Sequence, residues 1–414
     1  MTRTVNTSRL GLLRQPATVL FGPGQRRQLP ALLARYGGRA LLCTDERMAS
    51  DPVFVALVEA VQARGVAVSV YSKVEPDLPR ENLLDLLQVH GGDDFDVVVG
   101  VGGGSVMDFA KVAAILVAHG GDVRDLYGEN VVPASGVPLV TVPTTGGTDA
   151  EVTCVSVVYD RDKGMKVGVA SPYLEPAAAV IDPELTLTCP PGLTTATGAD
   201  ALSHLVEAFT SRAKNPGPEQ VEAHLYVGKN LLTDLYCRQG LALVNTSFAR
   251  VVADPGDIAA RSDTMLAAFS AGMAINTAGT AAAHAIQSPL GALTSTAHGL
   301  GVGALLPYVM RFNLPARVEE FAEIADVLGV AEPGASTEAR AHAGIRRVDE
   351  LLEVLGCPTN LRDLGLVPDQ FEFVAAQALL ATRLTANNPR ELSHEAVLEI
   401  LRRGHADDRS DWAG

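Results

Sequence analysis

Short, almost wholly apolar runs alternate with stretches of helical period over the first part of the chain: residues 16–22, 40–43, 66–71, 95–100 and 137–142 are the strand candidates. Strands apolar on both faces belong in a parallel sheet covered by helices on each side, which predicts an α/β domain. Residues 152–159 and 177–181 read as further extended pieces. From about Pro190 the pattern becomes helical, with amphipathic stretches near 197–212, 217–252, 255–276, 279–288, 316–328 and 335–355. Two consecutive prolines, Pro190 and Pro191, mark the change, because proline supplies no backbone donor and disfavours helix in the residue before it. The expected organisation is therefore an α/β domain over 1–190 and an all-helical domain over 191–414. Ser393-His394-Glu395 reads as a helix start. The polar tail 405–414 is expected to fray, with Trp412 the one group in it suited to docking.

Composition narrows what such a protein does. At 414 residues the chain is long enough for two cores, and 47% of it is apolar. A formal charge of −15 argues against nucleic acid or an anionic membrane as partner and leaves a small molecule. The five cysteines are odd in number and scattered, without a Cys-x-x-Cys pair, so neither a disulfide framework nor a thiolate metal site is expected and a reducing cytoplasm fits. The N-terminal stretch lacks a signal-peptide core, and no apolar run approaches a membrane span.

Candidate chemistry sits in both halves. Asp200 and His204 stand one helical turn apart, so the carboxylate and imidazole share a helix face. With His284 and His298 they make a set of one oxygen and three nitrogens suited to Zn2+ or Fe2+; the alternative is histidines that merely satisfy their own hydrogen bonds. Gly102-Gly103-Gly104-Ser105 follows an apolar strand and opens a helix, presenting backbone N–H groups and a positive dipole end to a pyrophosphate. It departs from Gly-x-Gly-x-x-Gly, and a ligand-free tight turn is the alternative. Asp45, just after a strand, can accept from the adenosine ribose hydroxyls and repel a 2′-phosphate, favouring NAD over NADP, or can simply cap the next helix. Thr144, Thr145 and Thr148, around Gly146 and Gly147, offer hydroxyls to a nicotinamide ribose or phosphate, or form only a polar loop.

Taken in order, Phe21-Gly-Pro-Gly24, Gly102 to Lys111, Pro143 to Glu151, Ile181 to Thr186, Thr197 to His204, and His284 to Ala292 with Ala297-His-Gly299 resemble the iron-containing, or group III, alcohol dehydrogenase family over nearly the whole chain. The resemblance implies an N-terminal dinucleotide-binding α/β domain and an all-α C-terminal domain, the architecture shared with dehydroquinate synthase-like proteins. It places metal ligands on Asp200, His204, His284 and His298, a pyrophosphate cradle on Gly102, Gly103, Gly104 and Ser105, and NAD preference on Asp45. It also places cofactor contacts on Thr144 and Thr145, and Asp108 close to the nicotinamide.

Two positions depart from the family pattern. Many members carry a second histidine four residues after the third ligand, where this chain has Ser288, a hydroxyl that cannot store a proton near neutral pH. Asp149 stands where many members have small residues. It is expected to face the substrate and bind or deprotonate its hydroxyl, the alternatives being a solvated carboxylate or a helix cap. The remaining histidines, His90, His119, His224, His342, His394 and His405, read as surface or core residues. The implied activity is hydride transfer between a small primary alcohol, methanol or another short alcohol, and an exchangeable or tightly held NAD, in a homo-oligomer. A polyol or phosphonate-aldehyde reductase and a non-catalytic nucleotide-binding scaffold are the rivals.

Overall fold

The computed structural model describes residues 10–412; most of the N-terminal stretch considered for a signal peptide lies outside them. The described chain forms two compact units. One contains residues 14–194 and 253–272, the other residues 10–13, 195–252 and 273–414. The second unit thus begins a few residues after the prolines, while the segment 253–272, expected with the helical half, is counted with the α/β unit.

The α/β unit is built on a six-stranded, all-parallel sheet. Its strands are β1 (Thr18–Phe21), β2 (Arg39–Cys43), β3 (Ala67–Tyr71), β4 (Val97–Gly102), β6 (Leu139–Pro143) and β9 (Ala178–Ile181), in the order β1-β9-β6-β4-β2-β3. Successive side chains point to opposite faces, and each face has its own core. Ala40, Leu42, Val97 and Val99 join one cluster, whereas Leu41, Cys43 and Val98 join another with Phe109, Val112 and Leu116 of the helix Gly104–His119. Strand direction of travel reverses between β2 and β4, the kind of switch point where doubly wound sheets bind ligands beyond their strand C-termini. The Thr44 hydroxyl donates to the Val101 carbonyl at 2.7 Å and ties those two ends together.

A second sheet, β5 (Gly128–Glu129), β8 (Met165–Ala170) and β7 (Val155–Asp160), has β7 antiparallel to β8. The sequence reading found β7 but not β8, whose Met165-Lys-Val-Gly-Val-Ala170 lacks clean alternation. The motifs around Gly24 and Asp182 meet in space. The carboxylate of Asp182 accepts from the N–H groups of Gly24, Arg26 and Glu184 and pairs with the Arg26 guanidinium, locking the end of β1 to the end of β9.

The other unit is helical. The helix Pro191–Thr210 starts at the second proline, where a fixed φ and a missing donor cost nothing. The single stretch expected over 217–252 is two helices, Pro218–Ala223 and Leu231–Ala253. Helices Ala282–Thr294, His298–Asn313, Phe371–Leu380 and His394–Ala406 enclose a core of Ile286, Leu290, Leu305, Tyr308, Val374 and Leu401. Ser393 caps the last of them, accepting from the Ala396 N–H. Instead of fraying, the tail after it is docked as far as Trp412. Asp407 accepts from the Tyr308 hydroxyl, Arg409 pairs with Glu353, and Trp412 packs edge-on against Phe312 at 5.3 Å with Arg403 over its ring. No helix among the described residues is long and apolar enough to cross a membrane.

Candidate metal centre and cofactor loop

The metal candidates converge within the helical unit. Asp200 and His204 project from the helix Pro191–Thr210, His284 from the first turn of Ala282–Thr294, and His298 opens the helix His298–Asn313. The Nε2 atoms of His204, His284 and His298 lie 3.6, 3.6 and 3.7 Å from a single oxygen, Asp200 Oδ1. Asp200, His204 and His284 are buried with ligand atoms mutually within 4.8 Å, while the His298 side chain is 44% exposed at the rim. The His204 and His284 rings stack at 4.7 Å.

This donor set fits a divalent cation. Asp200 Oδ1 and His284 Nε2 are buried and have no hydrogen-bond partner, and each such orphaned group costs about 1–3 kcal/mol unless something satisfies it. One carboxylate oxygen and three imidazole nitrogens around one point are the ligands that Zn2+ and Fe2+ accept. Burial opposes ionisation of Asp200, yet the imidazoles of His204, His298 and His284 outweigh it and hold its carboxyl well below the usual carboxylate range. Burial holds His204 down to about 4, which leaves it neutral with a lone pair to offer. Burial likewise disfavours the charged form of His284, but Glu207 and Asp200 overcome it and raise that group to about 9.

Glu207 is the residue that sequence reasoning passed over. It lies on the same helix seven and three residues after Asp200 and His204, and that spacing on one helix face was the available signal. Its carboxylate accepts from His284 Nδ1 at 2.7 Å. Ser288, one turn beyond His284, is exposed.

The cofactor candidates assemble in the α/β unit at the ends of β2, β4 and β6. Gly102 ends β4, Gly103 precedes the first turn of the helix Gly104–His119, and the Thr144 N–H donates to the Gly102 carbonyl at 2.9 Å. None of these glycines has a positive φ, so they are not needed for a left-handed turn. Gly102 and Gly104 serve close packing, since a Cβ would stand 2.7 Å from Val106 Cγ2 and 2.8 Å from Thr148 Cγ2 respectively. At Gly103 a Cβ would meet only Thr145, at an ordinary 3.6 Å, so packing does not account for that glycine. The Ser105 hydroxyl accepts from the Asp77 N–H. Thr144 and Thr145 are nearly buried, and Thr148 is half-buried beside Gly104. Asp45 caps the short helix Glu46–Ala49 through Oδ1, 2.8 Å from the Met48 N–H, so the cap is real and uses one of its two oxygens.

Asp149 is fully buried in left-handed backbone at φ 60°, and its side chain makes no cap bond to the short helix after it. Neither the solvated nor the capping alternative describes it. Gly272 lets it sit there: a Cβ on Gly272 would lie 2.8 Å from Asp149 Cβ and 2.6 Å from Val152 Cγ2. Asp108 is engaged within the protein, with Oδ2 accepting from the Val157 N–H at 2.9 Å and Oδ1 3.6 Å from the Lys111 ammonium. Lys111 itself is wholly buried and donates to Thr153 and to the Val155 carbonyl, so this pair fastens the helix to β7.

A parallel sheet with a glycine loop at its switch point, joined in one chain to a helical unit holding a carboxylate–imidazole cluster, is the equipment that a metal-using, nucleotide-binding oxidoreductase needs. The family model for iron-containing alcohol dehydrogenase matches residues 16–183, and that for the C-terminal part of the Fe-containing alcohol dehydrogenase family matches residues 194–404. The chain belongs to the iron-containing alcohol dehydrogenase family. It is 31% identical over 388 residues to the NAD-dependent methanol dehydrogenase of Bacillus methanolicus, covering 94% of this chain and 97% of that one. A crystal structure of 1,3-propanediol oxidoreductase superposes with a TM-score of 0.89 at 32% identity, over 96% of this chain and all of the other. Sulfoacetaldehyde reductase from Bifidobacterium kashiwanohense, in complex with NAD+, gives 0.81 at 28% identity over 96% of this chain and all of the other.

Proposed function

We propose that this alcohol dehydrogenase transfers hydride between a small primary alcohol and NAD, with Asp200, His204, His284 and His298 holding one divalent metal, Fe2+ or Zn2+. The observation that carries the reading is the placing of three imidazole nitrogens at 3.6–3.7 Å around a buried, unsatisfied Asp200 oxygen. Bound there, a divalent metal supplies Lewis-acid polarisation of an alcohol or carbonyl oxygen, and NAD supplies the hydride acceptor. Gly103, the first-turn N–H groups of the helix Gly104–His119 and the positive end of its dipole receive the pyrophosphate. The free oxygen pair of Asp45 is reduced to one by its cap bond, and that oxygen accepts from an adenosine ribose hydroxyl and disfavours a 2′-phosphate. Thr144, Thr145 and Thr148 orient the nicotinamide half, and Asp108 keeps β7 in place beside it.

Asp149 is the residue we assign to the substrate hydroxyl, as hydrogen-bond acceptor and proton acceptor. Its burial and left-handed backbone support this, because the carboxylate is held out of bulk water in a fixed place, and Ser288 cannot store the alcohol proton. Methanol or another short alcohol is the favoured substrate class. Native mass spectrometry with metal analysis and an NADH absorbance assay tests the whole reading. One metal per chain with alcohol-dependent NAD+ reduction is expected; a chain that binds nucleotide but neither metal nor alcohol would instead be a non-catalytic scaffold. Activity in the cytoplasm as a homo-oligomer completes the proposal, with mass measurement as its check.

A further inference from the structure

We propose that Glu207 is a positioning residue for the metal cluster, fixing which nitrogen of His284 faces the other ligands and anchoring the helix that carries it. The inference rests on the metal reading above. Glu207 is 2% exposed, and its carboxylate accepts three short hydrogen bonds. Oε2 takes His284 Nδ1 at 2.7 Å and the Ala281 N–H at 2.8 Å, and Oε1 takes the Ala283 N–H at 2.7 Å. The two backbone donors belong to the unsatisfied first turn of the helix Ala282–Thr294, whose own N-cap, Ala281, has no side chain able to cap it. A carboxylate reaching in from 74 residues away therefore does the capping, and the positive end of the helix dipole favours its charge.

The same carboxylate decides the chemistry of His284. A carboxylate that accepts from Nδ1 turns Nε2 toward the other ligands, and a cation bound among them takes the lone pair of Nε2 in place of the second proton that the metal-free ring favours. That nitrogen is the one 3.6 Å from Asp200 Oδ1. One helix face thus carries two ligands, Asp200 and His204, together with the group that orients a third. Carboxylate–histidine pairs of this kind typically change metal affinity by about 10–100-fold when broken.

The test is competition for Zn2+ against a chromophoric chelator, on the purified full-length wild type and the Glu207→Gln and Glu207→Asp variants, with thermal unfolding of each metal-free protein measured alongside. An amide keeps the volume but turns an NH2 toward one set of donors, so at least one of the three bonds is lost. Glu207→Gln is expected to weaken Zn2+ binding by about 10–100-fold, and Glu207→Asp, which keeps the acceptor-only group, to recover part of it. Zn2+ binding by Glu207→Gln within twofold of wild type, whatever its melting temperature, overturns the inference while leaving the metal reading intact. A wild type that takes up no Zn2+ overturns both. Nitrogen-15 NMR of the histidine rings in the Zn2+-loaded wild type needs no variant to fold: a protonated Nδ1 and metal-bound Nε2 on His284 support the assignment, and the reverse tautomer overturns it.

Discussion

Replacing Gly103 by alanine separates a cofactor cradle from a plain tight turn. The backbone there, φ −83° and ψ −171°, is extended and open to any residue. A Cβ would lie 3.6 Å from Thr145 Cγ2 and 3.7 Å from its Oγ1, which is ordinary contact. Alanine restricts the unfolded chain and so stabilises by about 0.4–1 kcal/mol, and it gives back roughly the same amount as a poorer N-cap. Stability should therefore stay within about 1 kcal/mol of wild type. The new methyl group nonetheless stands where a pyrophosphate must approach the first-turn N–H groups, and losing about 1.4 kcal/mol or more of that contact weakens NADH at least about tenfold. Gly104→Ala behaves in the opposite way. Its Cβ falls 2.8–3.0 Å from three atoms of Thr148, an overpacking worth about 1–3 kcal/mol against a helix-propensity gain of about 1 kcal/mol. Urea unfolding and NADH fluorescence titration on both variants read the two effects. A Gly103→Ala protein that binds NADH within twofold of wild type would refute the cradle.

Asp149→Ala should lower turnover at least about tenfold while the NADH dissociation constant stays within twofold, as steady-state kinetics and titration would show; unchanged turnover removes Asp149 from the chemistry. Burial pushes the Glu151 carboxyl up from 4.5 to about 7. The unfolded chain releases that proton near 4.5 while the folded one keeps it, so stability falls as pH rises through this window, by about 3 kcal/mol at most. Glu151→Gln should flatten that fall in urea unfolding at pH 4.5–8, and an unaltered pH profile would count against it. Removing the metal by chelation should destabilise the helical unit, by about 2.7 kcal/mol relative to metal at 100 times its dissociation constant. Trp412, the one tryptophan, packs inside that unit and reports the change by fluorescence; identical unfolding with and without chelator would contradict the metal centre.

The parallel sheet was legible because its four inner strands, β2, β4, β6 and β9, are buried on both faces, and a run such as Val97-Val98-Val99 leaves no other place for itself. The clustering of the four candidate ligands was legible from residue type and from the i, i+4 spacing of Asp200 and His204, with the family pattern supplying the two distant histidines. What stayed hidden has physical reasons. The helix His298–Asn313 carries Gly299, Gly301, Gly303 and Pro307, which reads as loop by propensity, and packing rather than propensity makes it a helix. The glycines there are small because neighbours press close: a Cβ on Gly299 would meet the Ala196 carbonyl oxygen at 1.9 Å, and one on Gly303 the Cys357 sulfur at 2.7 Å. The docked tail was hidden because Asp407 and Arg409 are polar in sequence, and only the fold supplies Tyr308 and Glu353 as their partners.

The glycine loop and the Asp200 cluster are constructed on opposite principles. Around the glycine loop the polar groups already have work inside the protein: Thr44 ties two strand ends, Asp45 caps a helix, Ser105 holds Asp77 and Asp108 faces Lys111. On the proposed reading a cofactor there meets a finished surface and is left backbone donors and the second oxygen of Asp45, which suits a ligand that exchanges. In the other cluster Asp200 Oδ1 and His284 Nε2 have no hydrogen-bond partner, and the three bonds of Glu207 hold His284 where it is. Such a cluster gains most from a resident ion. The difference predicts that dialysis against metal-free buffer strips added NADH from the protein well before it strips the metal, and loss of the two together would refute it.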